Sequence, residues 1–175
     1  MQNDPSWLKI AYRFNGVAEI KGPHHNSAII DLLDIADGAD DGKPLQGIAD
    51  DETPWCATFV SAVLELDGIK SMRSAWARSY LKFGFKLAAP ARGAIAVLER
   101  GEKSGHVAFV VGRDQAGNIM LLGGNQSDQV KVSAFPIRRV LDYRWPMGTA
   151  MAVKEMGFAT LPLMDGDGRV SSSEA

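Results

Sequence analysis

Cys56 is the single cysteine of a 175-residue chain, and one cysteine can form neither an intramolecular disulfide nor a thiolate metal site. It is either a small buried hydrophobe, the commonest fate of a free cysteine, or a reactive thiol. Its surroundings, Asp51-Glu-Thr-Pro-Trp-Cys-Ala-Thr-Phe-Val60, read as a helix start, with Thr53 suited to the N-cap and Pro54 to the first helical position. Unpaired N–H groups and the positive end of the helix dipole favour a thiolate in such a first turn. Asp51 and Glu52 oppose it, so a basic partner is required. Cys56 shares a stripe with Phe59, Val60 and Val63, which turns it toward whatever the helix packs on.

The chain has three histidines. His24 and His25 sit in the turn-rich Gly22-Pro-His-His-Asn26 with no ligand spacing to other residues, and read as surface side chains. His106 opens the apolar run His106-Val-Ala-Phe-Val-Val111 after Ser104-Gly105, and so lies at the mouth of a strand. The polar turn Arg113-Asp-Gln-Ala-Gly117 leads into the next strand. A four-residue hairpin loop pairs Arg113 with Asn118 and brings residue 125, an asparagine, opposite His106; a five-residue loop leaves Asn125 one place away. Asn125 either caps its own turn or orients the imidazole. Together, a first-turn cysteine, a strand-mouth histidine and an asparagine across the hairpin fit an acyl-transfer site: Cys56 the nucleophile, His106 the general base, Asn125 the orienting residue.

The elements that must position these residues divide the chain in two. Asp4-Pro5 caps a first helix with Trp7, Ile10, Ala11 and Phe14 on one stripe, ended by Gly16; a second runs from Ser27 to Ile35. After a polar loop from Asp37 to Asp50, the cysteine helix extends from Pro54 to before Gly68. A fourth helix is expected over Ser74–Phe83, with Trp76, Tyr80 and Phe83 at helical spacing. Then the period changes. Ala94–Leu98, His106–Val111, Asn118–Leu122, Gln129–Ser133 and Val140–Trp145 are short β-branched or alternating runs between turns. Helices first and strands afterwards make the class α+β, with an antiparallel meander. One domain is expected over residues 1–147, followed by an extension over 148–175 that reads as a flexible tail.

Composition excludes several functions. With 46% hydrophobic and 23% charged residues and a formal net charge of -2, the chain is neither disordered nor a basic nucleic-acid binder. Charge is nonetheless segregated: eight acids against Lys43 between Asp31 and Glu52, and eight bases against Glu99 and Glu102 between Lys70 and Lys103. Asp34, Asp37, Asp40 and Asp41 do not match a calcium-loop spacing, and no metal or cofactor is implied. No apolar run reaches membrane-helix length, so no stable membrane insertion is expected, and Met1–Phe14 lacks a signal-peptide pattern.

The cysteine block, Gly105-His-Val-Ala-Phe-Val-Val111 and Leu122-Gly-Gly-Asn-Gln126 resemble the motif blocks of NlpC-type and CHAP-type papain-like cysteine hydrolases, in the branch of phage lysins and secreted wall-attacking toxins; Pro90–Val97 resembles the strand preceding the histidine hairpin. The resemblance covers roughly Pro5 to Pro146. It departs at Trp55, where many NlpC-type members have an acid, and at Gly123-Gly124, where CHAP-type members often have a glutamate. It implies a papain-like NlpC fold and hydrolysis of a peptidoglycan amide bond through a thioester, by an endopeptidase or N-acetylmuramoyl-L-alanine amidase. Trp55, Trp76 and Gln126 are then substrate-binding candidates, Gln126 as the second oxyanion donor beside the Cys56 N–H. The expected partner is bacterial peptidoglycan, with an immunity protein if the chain is a toxin, and the expected state is a monomer. Synthesis in the cytoplasm and action in the periplasm or on the wall, after release by a phage lysis system or secretion machinery, complete the expectation. The alternatives are a cysteine acyltransferase or deamidase, and a non-catalytic phage structural or wall-binding module.

Overall fold

Three α-helices precede a six-stranded antiparallel sheet in the computed structural model, which describes residues 4–38, 50–149, 156–165 and 170–171. The helices are α1 (Ser6–Arg13), α2 (Ser27–Asp37) and α3 (Cys56–Leu66); the strands are β1 (Phe85–Lys86), β2 (Ile95–Glu99), β3 (Gly105–Arg113), β4 (Ile119–Gly123), β5 (Lys131–Phe135) and β6 (Val140–Trp145). The α+β class expected from the change of hydrophobic period is the class observed.

Helix α3 is the structural axis. Every residue from Cys56 to Leu64 is buried, as befits a helix that is apolar all round and must be covered on all sides. Helices α1 and α2 cover one side and β3 the other. Phe59 joins the layers, with its ring centroid 6.2 Å from Phe14 beyond α1 and 6.2 Å from Phe109 on β3, both edge-on.

Strands β2 to β5 form the expected meander, but β6 does not continue it. The sheet order is β1-β6-β2-β3-β4-β5, so β6 crosses back to the open edge of β2. Pro136 cannot extend the β5 ladder, and a 3-10 turn over Ile137–Arg139 redirects the chain. Arg139 then donates to the Glu99 carbonyl at 3.1 and 3.0 Å, holding the start of β6 beside the end of β2.

Several local expectations are revised. Asp4 does not cap α1, whose N-cap is Pro5 with no side-chain bond. Its carboxylate instead takes a two-point pair from Arg92, at 2.5 and 2.9 Å, and Arg92 also donates to the Val111 carbonyl. The expected fourth helix is a 3-10 turn, Ala77–Lys82. Tyr80 and Phe83 are buried as expected there, while Trp76 lies outside the core, 70% exposed. The extension beyond Met147 is in part packed on the sheet: Leu161 is buried, Gly157 N–H donates to Pro90 (2.7 Å), and Arg113 exchanges bonds with Pro162 and Met164 (2.9 and 2.8 Å). Most of the expected polar loop, including Asp40 and Asp41, and residues 150–155, 166–169 and 172–175 of the expected tail lie outside the described residues. No helix among the described residues is long and apolar enough to cross a membrane.

Candidate active site

The approach to Cys56 is built by two carboxylates. Asp50 Oδ1 accepts from Glu52 N–H (3.1 Å), Thr53 N–H (2.7 Å) and the Thr53 hydroxyl (2.8 Å), closing a tight turn. Thr53 is thus spent on the turn, and the N-cap of α3 is Trp55, which offers no side-chain cap. Cys56 is therefore the first helical residue, and the leading N–H groups of α3 are left available to an anion. Asp51 is fully buried. Its carboxylate accepts from Ile20 N–H (3.0 Å), Asn26 N–H (2.8 Å) and His25 Nδ1 (2.8 Å). Burial alone would raise its pKa, but these bonds outweigh it and hold the pKa below the usual carboxylate range. Asp51 therefore stays charged and staples residues 20–26 to the turn before the cysteine. His25, at the surface as expected, also belongs to this staple.

Cys56 is 7% exposed. Burial pushes its thiol pKa up, against the opposing pull of the Val107 and Ala57 N–H groups and the positive charge of Arg100. Desolvation is the larger effect and outweighs the pull of the helix start, in keeping with the expected need for a basic partner. The Val107 amide that faces the sulfur follows His106 in β3, so the helix start meets the strand at the histidine.

His106 is fully buried. Its ring stacks on Phe135, centroids 5.5 Å apart and planes at 23°, and its Nε2 lies 3.0 Å from Gln126 Oε1. The group on Nε2 is thus Gln126, the residue after the expected Asn125. The cause lies in the backbone. The β3–β4 ladder reaches Phe109–Leu122, β4 ends at Gly123, and Asn125 turns left-handed at φ 55°, so the chain swings Gln126 back under the imidazole. Asn125 itself is buried. Gln126 is buried too, and its Nε2 donates to the carbonyls of Leu121 (3.2 Å) and Lys131 (2.6 Å). With both amide hydrogens engaged, Gln126 supplies neither the oxyanion donor nor the substrate contact expected of it.

Trp55 is likewise interior rather than groove-lining: it is buried, and its indole N–H donates to Glu19 Oε1 at 2.7 Å. Glu19, raised in pKa mainly by its own burial, had no signature in the sequence. Gly124 has a steric cause. A Cβ there would stand 2.4 Å from Trp55 Cζ3 and 2.7 Å from Phe59 Cβ. Gly124→Ala is accordingly expected to cost about 1–3 kcal/mol through overpacking and to displace the residue that starts α3. Thermal unfolding checks the first effect and the rate of wall-fragment release the second; both should fall together. Of the substrate candidates only Trp76 presents an open indole. It lies two residues before Arg78, whose guanidinium donates to Ser104 (2.8 Å) and Gly101 (2.6 Å) and packs beside Gly105 at the strand mouth.

No curated protein matches the chain. Residues 48–125 match the family model of the CHAP domain, a stretch that holds Cys56, His106 and Asn125 and stops one residue short of Gln126. Over that segment the chain is similar to CHAP domains, consistent with a CHAP-type papain-like peptidoglycan hydrolase.

Proposed function

We propose that the chain cuts an amide bond of the bacterial wall peptide with Cys56 as nucleophile and His106 as general base. The observation that carries this reading is the Cys56 sulfur at the start of α3 set against the Val107 amide, immediately after His106. His106 removes the thiol proton, and the thiolate attacks the amide carbonyl to form a tetrahedral oxyanion. The leading N–H groups of α3, beginning with that of Cys56, face this charge. Collapse expels the amine, which takes the proton from the imidazolium and leaves a thioester. Water, deprotonated by His106, hydrolyses the thioester and restores the thiol.

Trp76 is the substrate platform of this reading, as an exposed indole two residues before Arg78, which binds at the strand mouth. Trp76→Ala is expected to raise KM roughly tenfold, about 1.4 kcal/mol of lost binding, with kcat and melting temperature unchanged. A change in melting temperature instead would make Trp76 a structural residue.

Digestion of purified peptidoglycan followed by mass spectrometry tests the function. New amine and carboxyl ends are expected. Ends within the stem peptide identify an endopeptidase, and ends at the sugar–peptide junction an amidase. Intact peptidoglycan, with acyl transfer or deamidation of another acceptor, would replace hydrolysis by the rival cysteine chemistry; intact peptidoglycan with no turnover of any acceptor would leave a wall-binding module.

A further inference from the structure

We propose that Gln126 is the positioning residue of the catalytic histidine, fixing His106 as its Nε2–H tautomer so that Nδ1 is the nitrogen that takes the Cys56 proton. The inference rests on the cysteine-hydrolase reading above and assigns a role to a residue outside the matched family segment.

The hydrogen-bond network determines which end of the Gln126 amide faces the ring. Two carbonyls, of Leu121 and Lys131, lie at 3.2 and 2.6 Å from one terminal atom. Only an NH2 group can satisfy both, so the other atom, 3.0 Å from His106 Nε2, is the carbonyl oxygen. A carbonyl oxygen only accepts. Nε2 must therefore carry a hydrogen, and in the neutral imidazole Nδ1 is left as the base. When Nδ1 takes the thiol proton, Nε2–H remains a donor and its bond to Gln126 persists through the cycle. The ring gains one proton and the sulfur loses it, with no rearrangement at the amide.

The surroundings reserve the place for this side chain. Gly123 is the last residue of β4, and a Cβ on it would fall 2.8 Å from Gln126 Oε1, 3.3 Å from its Cδ and 2.7 Å from Ala108 Cβ. The amide thus occupies the space that a side chain on Gly123 would fill. Phe135 stacks on the imidazole, so the ring plane and its hydrogen-bond direction are both constrained. The orienting group is neutral. It steers the proton without adding a negative charge to stabilise the imidazolium, in contrast to a carboxylate in the same role.

Gln126→Met keeps the length and volume and removes the acceptor. In this variant kcat for wall-fragment release is expected to fall on the order of 10²-fold or more, the direction known for a histidine released into the wrong tautomer, with KM nearly unchanged. The spectroscopic signature is nitrogen-15 NMR of the histidine rings in the Cys56→Ala protein, recorded across a pH series up to the neutral-ring limit, with His106 assigned by its loss in His106→Gln. The Nε2–H pattern is expected with Gln126 present, and a mixed or Nδ1–H pattern in Cys56→Ala/Gln126→Met. A folded Gln126→Met protein with wild-type kcat would overturn the proposal. If that variant does not fold, an Nδ1–H ring in the Cys56→Ala protein with native Gln126 overturns it equally. An inactive wild type would overturn the hydrolase reading instead, while the tautomer measurement would still judge Gln126.

Discussion

Replacing Cys56 by alanine is expected to abolish release of peptidoglycan fragments and to leave the fold in place. The sulfur is the only group at the start of α3 that can form a covalent acyl intermediate, and no neighbouring hydroxyl can substitute for it: Thr58 and Ser61 are both buried further along the helix. Removing the nucleophile of such a site costs on the order of 10⁴-fold or more. The structural cost is small, because the change deletes one buried atom and leaves the amides of Val107 and Ala57 facing a small gap, about 1 kcal/mol. Initial rates on purified peptidoglycan, paired with thermal unfolding, check both halves. Residual hydrolysis within tenfold of wild type would assign the chemistry to another residue.

Asp51→Ala has the largest expected effect on stability. Its buried carboxylate serves two backbone N–H groups and His25 at 2.8–3.0 Å. Truncation leaves the N–H groups of Ile20 and Asn26 without their acceptor, at about 3 kcal/mol or more. For a chain of this size that lowers the melting temperature by roughly 6–12 °C. The pH dependence follows from the depressed pKa. A carboxylate held below its unfolded value contributes stability that is fully present above that value and is lost as pH falls through the folded one. Wild type should therefore lose stability in strong acid with a slope that Asp51→Asn lacks. Parallel acid limbs for the two proteins would show that the carboxylate is not held charged by this staple.

The register of the histidine hairpin shows how much of the site was legible. A four-residue loop would pair Arg113 with Asn118, and a five-residue loop would shift that register by one. Instead Asp114 and Asn118 close the turn, at 3.0 Å from N–H to carbonyl, and Arg113 pairs with Ile119. A bulge at Val111 then shifts the ladder by one, restoring Phe109–Leu122, which is the register first expected. The bulge is held by Arg92, whose guanidinium takes the Val111 carbonyl while its other nitrogens bind Asp4. A contact between residues 88 positions apart leaves no trace in local periodicity. The same limit explains Gln126. Counting along an extended strand carries to Asn125, but the left-handed turn there depends on how the loop packs, and brings Gln126 Oε1 to 3.0 Å from His106 Nε2. The positions of Cys56 and His106 in the fold follow from the sequence because each lies at the start of a regular element. The partners of Thr53, Trp55 and Gln126 (Asp50, Glu19, and the carbonyls of Leu121 and Lys131) are set by tertiary packing and leave no local signal.

The β6 crossover and the packed segment after Met147 are of the same kind. The run Val140–Trp145 was visible as a strand to the residue, but nothing within it says which edge it joins. That choice falls to the unpaired edge of β2 and to Arg139, which reaches the Glu99 carbonyl. Residues 156–165 lack a strong period because they contribute single contacts, such as Met164 beside Gly112, rather than an amphipathic element.

The pairing of Cys56 with His106 is tested most directly by the alkylation rate of the sole cysteine as a function of pH, in wild type and in His106→Ala. Burial raises the isolated thiol, so a cysteine without its base should react only at alkaline pH, above the ~8.5 of a free thiol. Wild type is expected to remain reactive well below that value, and His106→Ala to lose this reactivity and turn on only at higher pH. Superimposable profiles for the two proteins would contradict the pairing and with it the cysteine-hydrolase mechanism.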